Sequence, residues 1–166
     1  MSFRITGLSP SAYQPLYGLP DEELAARGAL RYIVNEKPGY PDRVEMREAE
    51  IGETVLLINH VSQPADNPYH ASHAIFVREG ASETYDAVDE VPDVMRGRLL
   101  SLRAFDQDHM MVDADVIDGN GIETVIERFF SNPVVNYIHV HNAKRGCYSG
   151  RVDRIAGHNV KEIAGQ

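Results

Sequence analysis

The chain of 166 residues predicts an α+β protein built on a mainly antiparallel mixed sheet with a few helices. Three observations carry that expectation. Short β-branched or alternating segments recur along the chain with turn residues between them, as in strands joined by hairpins. The segment Thr54 to His60 is apolar on both faces through Val55, Leu56, Leu57 and Ile58, the pattern of a central strand covered on both sides. The stretch 121–131 places Ile122, Val125, Ile126, Phe129 and Phe130 on one helical face, which must lie on a sheet.

In chain order, Ser2 to Leu8 reads as a first strand, and Ser9-Pro10 opens a turn or brief helix through Tyr17. Asp21 to Arg27 reads as a short helix, with acids in its first turn, Leu24 and Ala25 facing inward and Gly28 at its C-terminal end. Ala29 to Asn35 alternates as a strand. Lys37-Pro38-Gly39-Tyr40-Pro41 is then a turn of type II composition, with Asp42 to Met46 returning as the partner strand. Pro64 and Pro68 make Val61 to Tyr69 irregular. Further strands are expected at His73 to Arg78 and Glu83 to Val88. A short helix follows at Val91 to Arg98, then a hairpin of Leu99 to Phe105 with Met110 to Ile117. Asn132-Pro133 ends the long helix, and Val134 to Val140 is a strand.

The length suits one domain spanning 1–166 with a core of its own. A net charge of −9, from 16 basic and 25 acidic residues, argues against nucleic acid and anionic membrane as partners, because both demand a basic surface. A single cysteine makes no internal disulfide and fits a reducing compartment. No apolar run approaches the ~20 residues of a membrane helix, and MSFRITGLSP has no apolar signal core, so a cytoplasmic location is expected.

Chemistry-bearing groups concentrate between Tyr137 and Arg154. On a strand, Tyr137, His139 and His141 share one face, opposite Ile138 and Val140. Residues two apart on one face lie roughly 6–7 Å from each other. Asn142 follows, and then Gly146 and Gly150 flank Cys147, Tyr148 and Ser149, allowing sharp bends on both sides of the thiol. Arg151 and Arg154, three apart, suit a side of a helical turn better than a strand.

Several segments occur in a recognisable order: Glu36-Lys37-Pro38-Gly39-Tyr40-Pro41, Gly52-Glu53-Thr54-Val55-Leu56-Leu57, Ala74-Ile75-Phe76-Val77-Arg78-Glu79-Gly80, Tyr85-Asp86-Ala87-Val88, Met111-Val112-Asp113-Ala114-Asp115, His139-Val140-His141-Asn142-Ala143 and Gly146-Cys147-Tyr148. With these the chain resembles the bacterial family called domain of unknown function 1203, over nearly its whole length. The resemblance implies a bacterial single-domain protein and no particular activity. It also implies a cysteine in the turn where this chain has Asp42, which removes any two-cysteine site shared with Cys147.

The leading expectation is a small-molecule-binding domain with an enzymatic option of acid–base or hydrolytic type. Its polar cleft would be built from Tyr137, His139, His141, Asn142, Cys147, Tyr148 and Arg151. His139 or His141 would move protons near neutral pH or serve as base to a Cys147 nucleophile. Arg151 would hold a small anionic ligand, and His73, with His60, would join from the preceding strand, while His70 reads as surface loop. Arg43, Arg78 and Arg154 are further candidates for an anion. A non-catalytic interaction module, a homodimer with Tyr137 and Tyr148 at its interface, is the alternative. A third reading is a metal protein in which Asp113 or Asp115 joins His139 and His141. The spacing of Asp113, Asp115, Asp118 and Asn120 departs from a calcium loop, and helix capping by Asp118 or Asn120 explains it better. No cofactor is indicated by a phosphate-binding glycine loop or dinucleotide fingerprint.

Overall fold

A computed structural model describes residues 2–156. Nine strands and three α-helices follow one another as β1 (Phe3–Thr6), α1 (Asp21–Ala26), β2 (Leu30–Ile33), β3 (Thr54–Gln63), β4 (Ala71–Arg78), β5 (Asp86–Val88), α2 (Asp93–Arg96), β6 (Leu99–Phe105), β7 (Met111–Asp118), α3 (Ile122–Phe130), β8 (Tyr137–Asn142) and β9 (Tyr148–Arg154) among the described residues. The strands form a six-stranded sheet, β5-β1-β9-β8-β6-β7, and a three-stranded sheet, β2-β3-β4. The fold is α+β. Its pairings are all antiparallel and divided between two sheets, where one mixed sheet had been expected.

The large sheet is covered on both faces, by different materials. On one face lies α3, whose Ile122, Val125, Ile126, Phe129 and Phe130 are all buried against Leu100, Leu102, Ala104, Ile138, Val140 and Val152. Each such side chain contributes about 1.5–3 kcal/mol when fully withdrawn from water. Arg154 ends the helix region, donating to the carbonyls of Phe130, Asn132 and Val135 with its guanidinium over the Phe130 ring. On the other face lies the small sheet. Its Leu56, Ile58, Ile75 and Val77 pack with Tyr13, Leu24, Val44 and Tyr148 in a second core.

Several local expectations are corrected. Asp42 to Met46 forms no strand. It runs along the free edge of β4, where Arg43 N–H donates to the Phe76 carbonyl and Asp42 Oδ1 accepts from Arg78 N–H. The partner of β2 is β3, because β3 is apolar on both faces and takes neighbours on both edges. The Lys37–Pro38 bond before this segment is cis. β3 continues to Gln63, past the point where irregular chain was expected. Ala25 is exposed, and Ala29 takes the inward position instead.

The last strand is the larger miss. β9 carries one glycine and mostly polar residues, with Ser149 and Gly150 buried. A Cβ on Gly150 would lie 2.7 Å from Met46 Cε and 2.9 Å from Met95 Cε, so any side chain there would have to displace the two methionine methyl groups. A register irregularity between Val140 and His141 brings Tyr148 opposite His141, and Arg151 opposite His139.

Candidate functional site: a cationic cleft backed by a histidine layer

Alternation along β8 turns Tyr137, His139 and His141 away from α3 and toward the small sheet. Four imidazoles meet there. The rings of His73 and His141 are 4.9 Å apart and those of His139 and His141 are 6.4 Å apart. Tyr148 lies among them, 5.3 Å from His139, 5.7 Å from His141 and 5.5 Å from His60. His139 and His141 are 4 % and 2 % exposed, so this layer is interior.

Burial sets its protonation. Withdrawal from water holds His139 down at about 3, with the positive neighbours Arg151 and Arg103 adding to the effect. His141 is held at about 4 by the same cause, although its bond to the Gly146 carbonyl works in the other direction. His60 and His73 are lowered too, again first by burial. His141 Nδ1 carries the proton and donates to Gly146 O across 2.9 Å, leaving Nε2 as the lone-pair nitrogen. Both rings of β8 are therefore neutral at neutral pH. They do not titrate in the range expected for a proton-moving histidine.

Tyr137 anchors the far end of the layer. Gln63 Nε2 donates to its hydroxyl at 2.9 Å, and the hydroxyl is hydrogen-bonded to His109 Nδ1 at 2.7 Å. Arg151 stacks on its ring, 4.1 Å from the centroid, and bonds the carboxylate of Asp153. Arg151 is thereby already paired with a carboxylate. Tyr137 and Tyr148 are buried inside the chain, so neither offers a surface to a second copy.

In front of the layer opens a cleft of about 920 Å³. Its walls are the free side of β4, the β8–β9 turn and the segment 36–43 that closes over them. Cys147, Asn142 and His73 line it, whereas His139, His141, Tyr137, Tyr148 and Arg151 do not. The expected single cleft is thus two layers, because the small sheet covers most of the β8 face.

Four cationic side chains reach the cleft, Arg43, Arg98, Lys144 and Arg145, against the single acid Glu36. Arg43 is the unusual one, 2 % exposed. It donates from Nε to Tyr148 O (2.9 Å), from Nη1 to Pro41 O (2.7 Å) and from Nη2 to Cys147 Sγ (3.2 Å). No carboxylate pairs with it among the described residues, and its burial lowers its proton affinity. Arg78 and Arg98, by contrast, are ion-paired with Glu45 and Glu48. Asn142 Nδ2 also approaches Cys147 Sγ, at 3.5 Å, and Asn142 Oδ1 is buried without a partner. The hydrogen-bond partners of the thiol among the described residues are therefore Arg43 and Asn142, with no imidazole nitrogen among them.

In the sequence Arg43 stands as one of four candidate anion-binding arginines, with nothing to single it out. The signal that sets it apart, lack of a carboxylate partner, exists only in three dimensions. The metal arrangement is also corrected. β6 separates β7 from β8, and Asp113 and Asp115 lie opposite Ala104 and Leu102, on the helix side of the sheet. Asp115 is paired there with Arg128. Among the described residues, no three of His, Cys, Asp and Glu converge as metal ligands. Asp118 caps the turn before α3 by accepting from Asn120 N–H.

Fold and site together define an α+β protein of two antiparallel sheets with a cationic, cysteine-bearing cleft at their junction. Residues 39–154 match the family described as Protein of unknown function (DUF1203), and the chain belongs to that family. The match takes in the cleft from Gly39 to Cys147. No curated protein and no solved structure matches the chain. No helix of the described residues is long and apolar enough to cross a membrane.

Proposed function

We propose that the protein binds a small anionic molecule in the cleft between the β8–β9 turn and β4. The observation that carries this reading is Arg43, a buried guanidinium at the cleft wall that forms no ion pair with a carboxylate among the described residues. A buried cation is costly unless a negative partner or several acceptors surround it. Two carbonyls and a thiol take three of its five N–H groups, which leaves two for a ligand. Lys144 and Arg145 are exposed at the mouth, where they would draw an anion inward against the protein's net charge of −9.

In this reading Cys147, Asn142 and His73 contact the ligand from the wall. His139, His141, Tyr137 and Tyr148 form the rigid floor behind them, and Arg151 steadies Tyr137. An enzymatic version uses Cys147 as the nucleophile and His73, the imidazole that reaches the cleft, for proton transfer. Isothermal titration with acetate, succinate and inorganic phosphate tests the binding reading. Saturable binding of at least one anion is expected, weakened by salt and by the double variant Lys144→Ala, Arg145→Ala. Absence of binding by all three, and by the aromatic acid phenylacetate, in the folded wild-type protein overturns it.

A further inference from the structure

The aromatic part of the cleft lining has a different character. Tyr32, Tyr40 and Phe76 line it with Leu57. The Tyr40 and Phe76 rings are 5.1 Å apart and tilted, and those of Tyr32 and Phe76 are 6.2 Å apart and nearly perpendicular. Tyr32 is 40 % exposed, so its ring is open to a partner instead of being spent in a core. Tyr40 is turned by its hydroxyl, which donates to Asn35 Oδ1 across 3.0 Å. Register explains the grouping: Leu57 and Phe76 are directly paired, and Tyr32 shares their face of the small sheet through Val55.

We infer that the ligand class is an amphipathic carboxylate, a small acid whose charged group meets the Arg43 end and whose apolar ring lies against Tyr32, Tyr40 and Phe76. This deepens the anion-binding reading and rests on it. A volume of about 920 Å³ holds a molecule of this kind, within the roughly 300–1,000 Å³ common for small-molecule sites. Aromatic side chains favour a flat apolar group at offset or edge-on geometry, and a guanidinium with two spare N–H groups favours a planar carboxylate. A purely polar anion would leave the aromatic wall wet, and a neutral ring would leave the buried cation unmatched. Selection therefore requires both halves of the ligand.

Phenylacetate, phenylacetamide, acetate and inorganic phosphate are titrated into the wild-type chain and into Tyr32→Ala and Lys144→Ala, Arg145→Ala variants, with thermal melts to verify folding. Phenylacetate is expected to bind about tenfold or more tightly than acetate, phosphate or phenylacetamide, a difference of about 1.4 kcal/mol. Tyr32→Ala should erode that preference. Bound phenylacetate should also slow alkylation of Cys147, the single cysteine, by iodoacetamide. If acetate or phosphate binds as well as phenylacetate and Tyr32→Ala changes nothing, the inference falls while the anion reading stands. If phenylacetamide binds as well as phenylacetate, or nothing binds at all, both fall.

Discussion

Arg43 donates a hydrogen bond to Cys147 Sγ at 3.2 Å, although the two residues are 104 positions apart in the chain. The same guanidinium holds the carbonyls of Tyr148 and Pro41, so one buried side chain ties the segment along β4 to the start of β9. It joins the two sheets at the point where the cleft opens.

Removing that tie has a stability cost. Arg43→Ala leaves two buried carbonyls without donors, each worth about 1–3 kcal/mol when orphaned. A total loss of roughly 2–6 kcal/mol is expected, read as a lower urea midpoint. A loss below about 0.5 kcal/mol, the scale of an ordinary surface substitution, would mean the carbonyls find water.

Acid should unfold the protein through its histidine layer. His139 and His141 titrate at about 3 and about 4 in the folded chain and at 6.5 without its constraints. Below 6.5 the unfolded chain therefore binds more protons than the folded one, and stability falls with pH from there down to the folded values. Above 6.5 their contribution is fully present. At pH 5 each ring should have lost about 2 kcal/mol, at about 1.4 kcal/mol per tenfold difference in proton affinity. His60 and His73 act in the same direction. Asp42, whose carboxyl burial raises, opposes them. Urea midpoints measured from pH 8 to pH 4 should fall below pH 6.5, and a His139→Phe variant should fall less steeply.

Tyr137→Phe keeps the ring under Arg151 and removes the hydroxyl that Gln63 and His109 share. Gln63 is 3 % exposed, so its amide loses a partner that water cannot replace. A destabilisation of about 1–3 kcal/mol is expected in thermal or denaturant unfolding.

Two glycines should separate cleanly. A Cβ at Gly119 would lie 1.7 Å from the Met95 carbonyl oxygen, which is backbone and cannot yield. At Gly150 the obstacles are methionine methyl groups at the ends of flexible side chains. Gly119→Ala should fail to fold or fold only marginally. Gly150→Ala should cost about 1–3 kcal/mol, the usual range for overpacking. Equal melting temperatures for the two variants would contradict this account.

Local pattern sufficed wherever a segment buries one periodic face. The α3 residues Ile122, Val125, Ile126, Phe129 and Phe130 announce both helix and buried side, and Val55 to Ile58 announce a central strand. The placement of Tyr137, His139 and His141 on a shared face followed from alternation alone. What no local pattern carries is which face meets which. Burial of the imidazoles, and with it their loss of proton affinity, comes from the small sheet that packs over β8. Arg43 is set apart because no carboxylate forms an ion pair with it among the described residues, the neighbouring Asp42 acting on it only at longer range. β9 escaped notice because its glycine and polar residues satisfy contacts supplied by Met46, Met95 and β8. The sequence by itself determined a mainly antiparallel α+β class and the faces of its periodic elements, since those depend on neighbours along the chain. Only the tertiary structure decided which polar groups line a cleft and which are sealed behind it, because desolvation and charge pairing depend on distances between residues far apart in sequence.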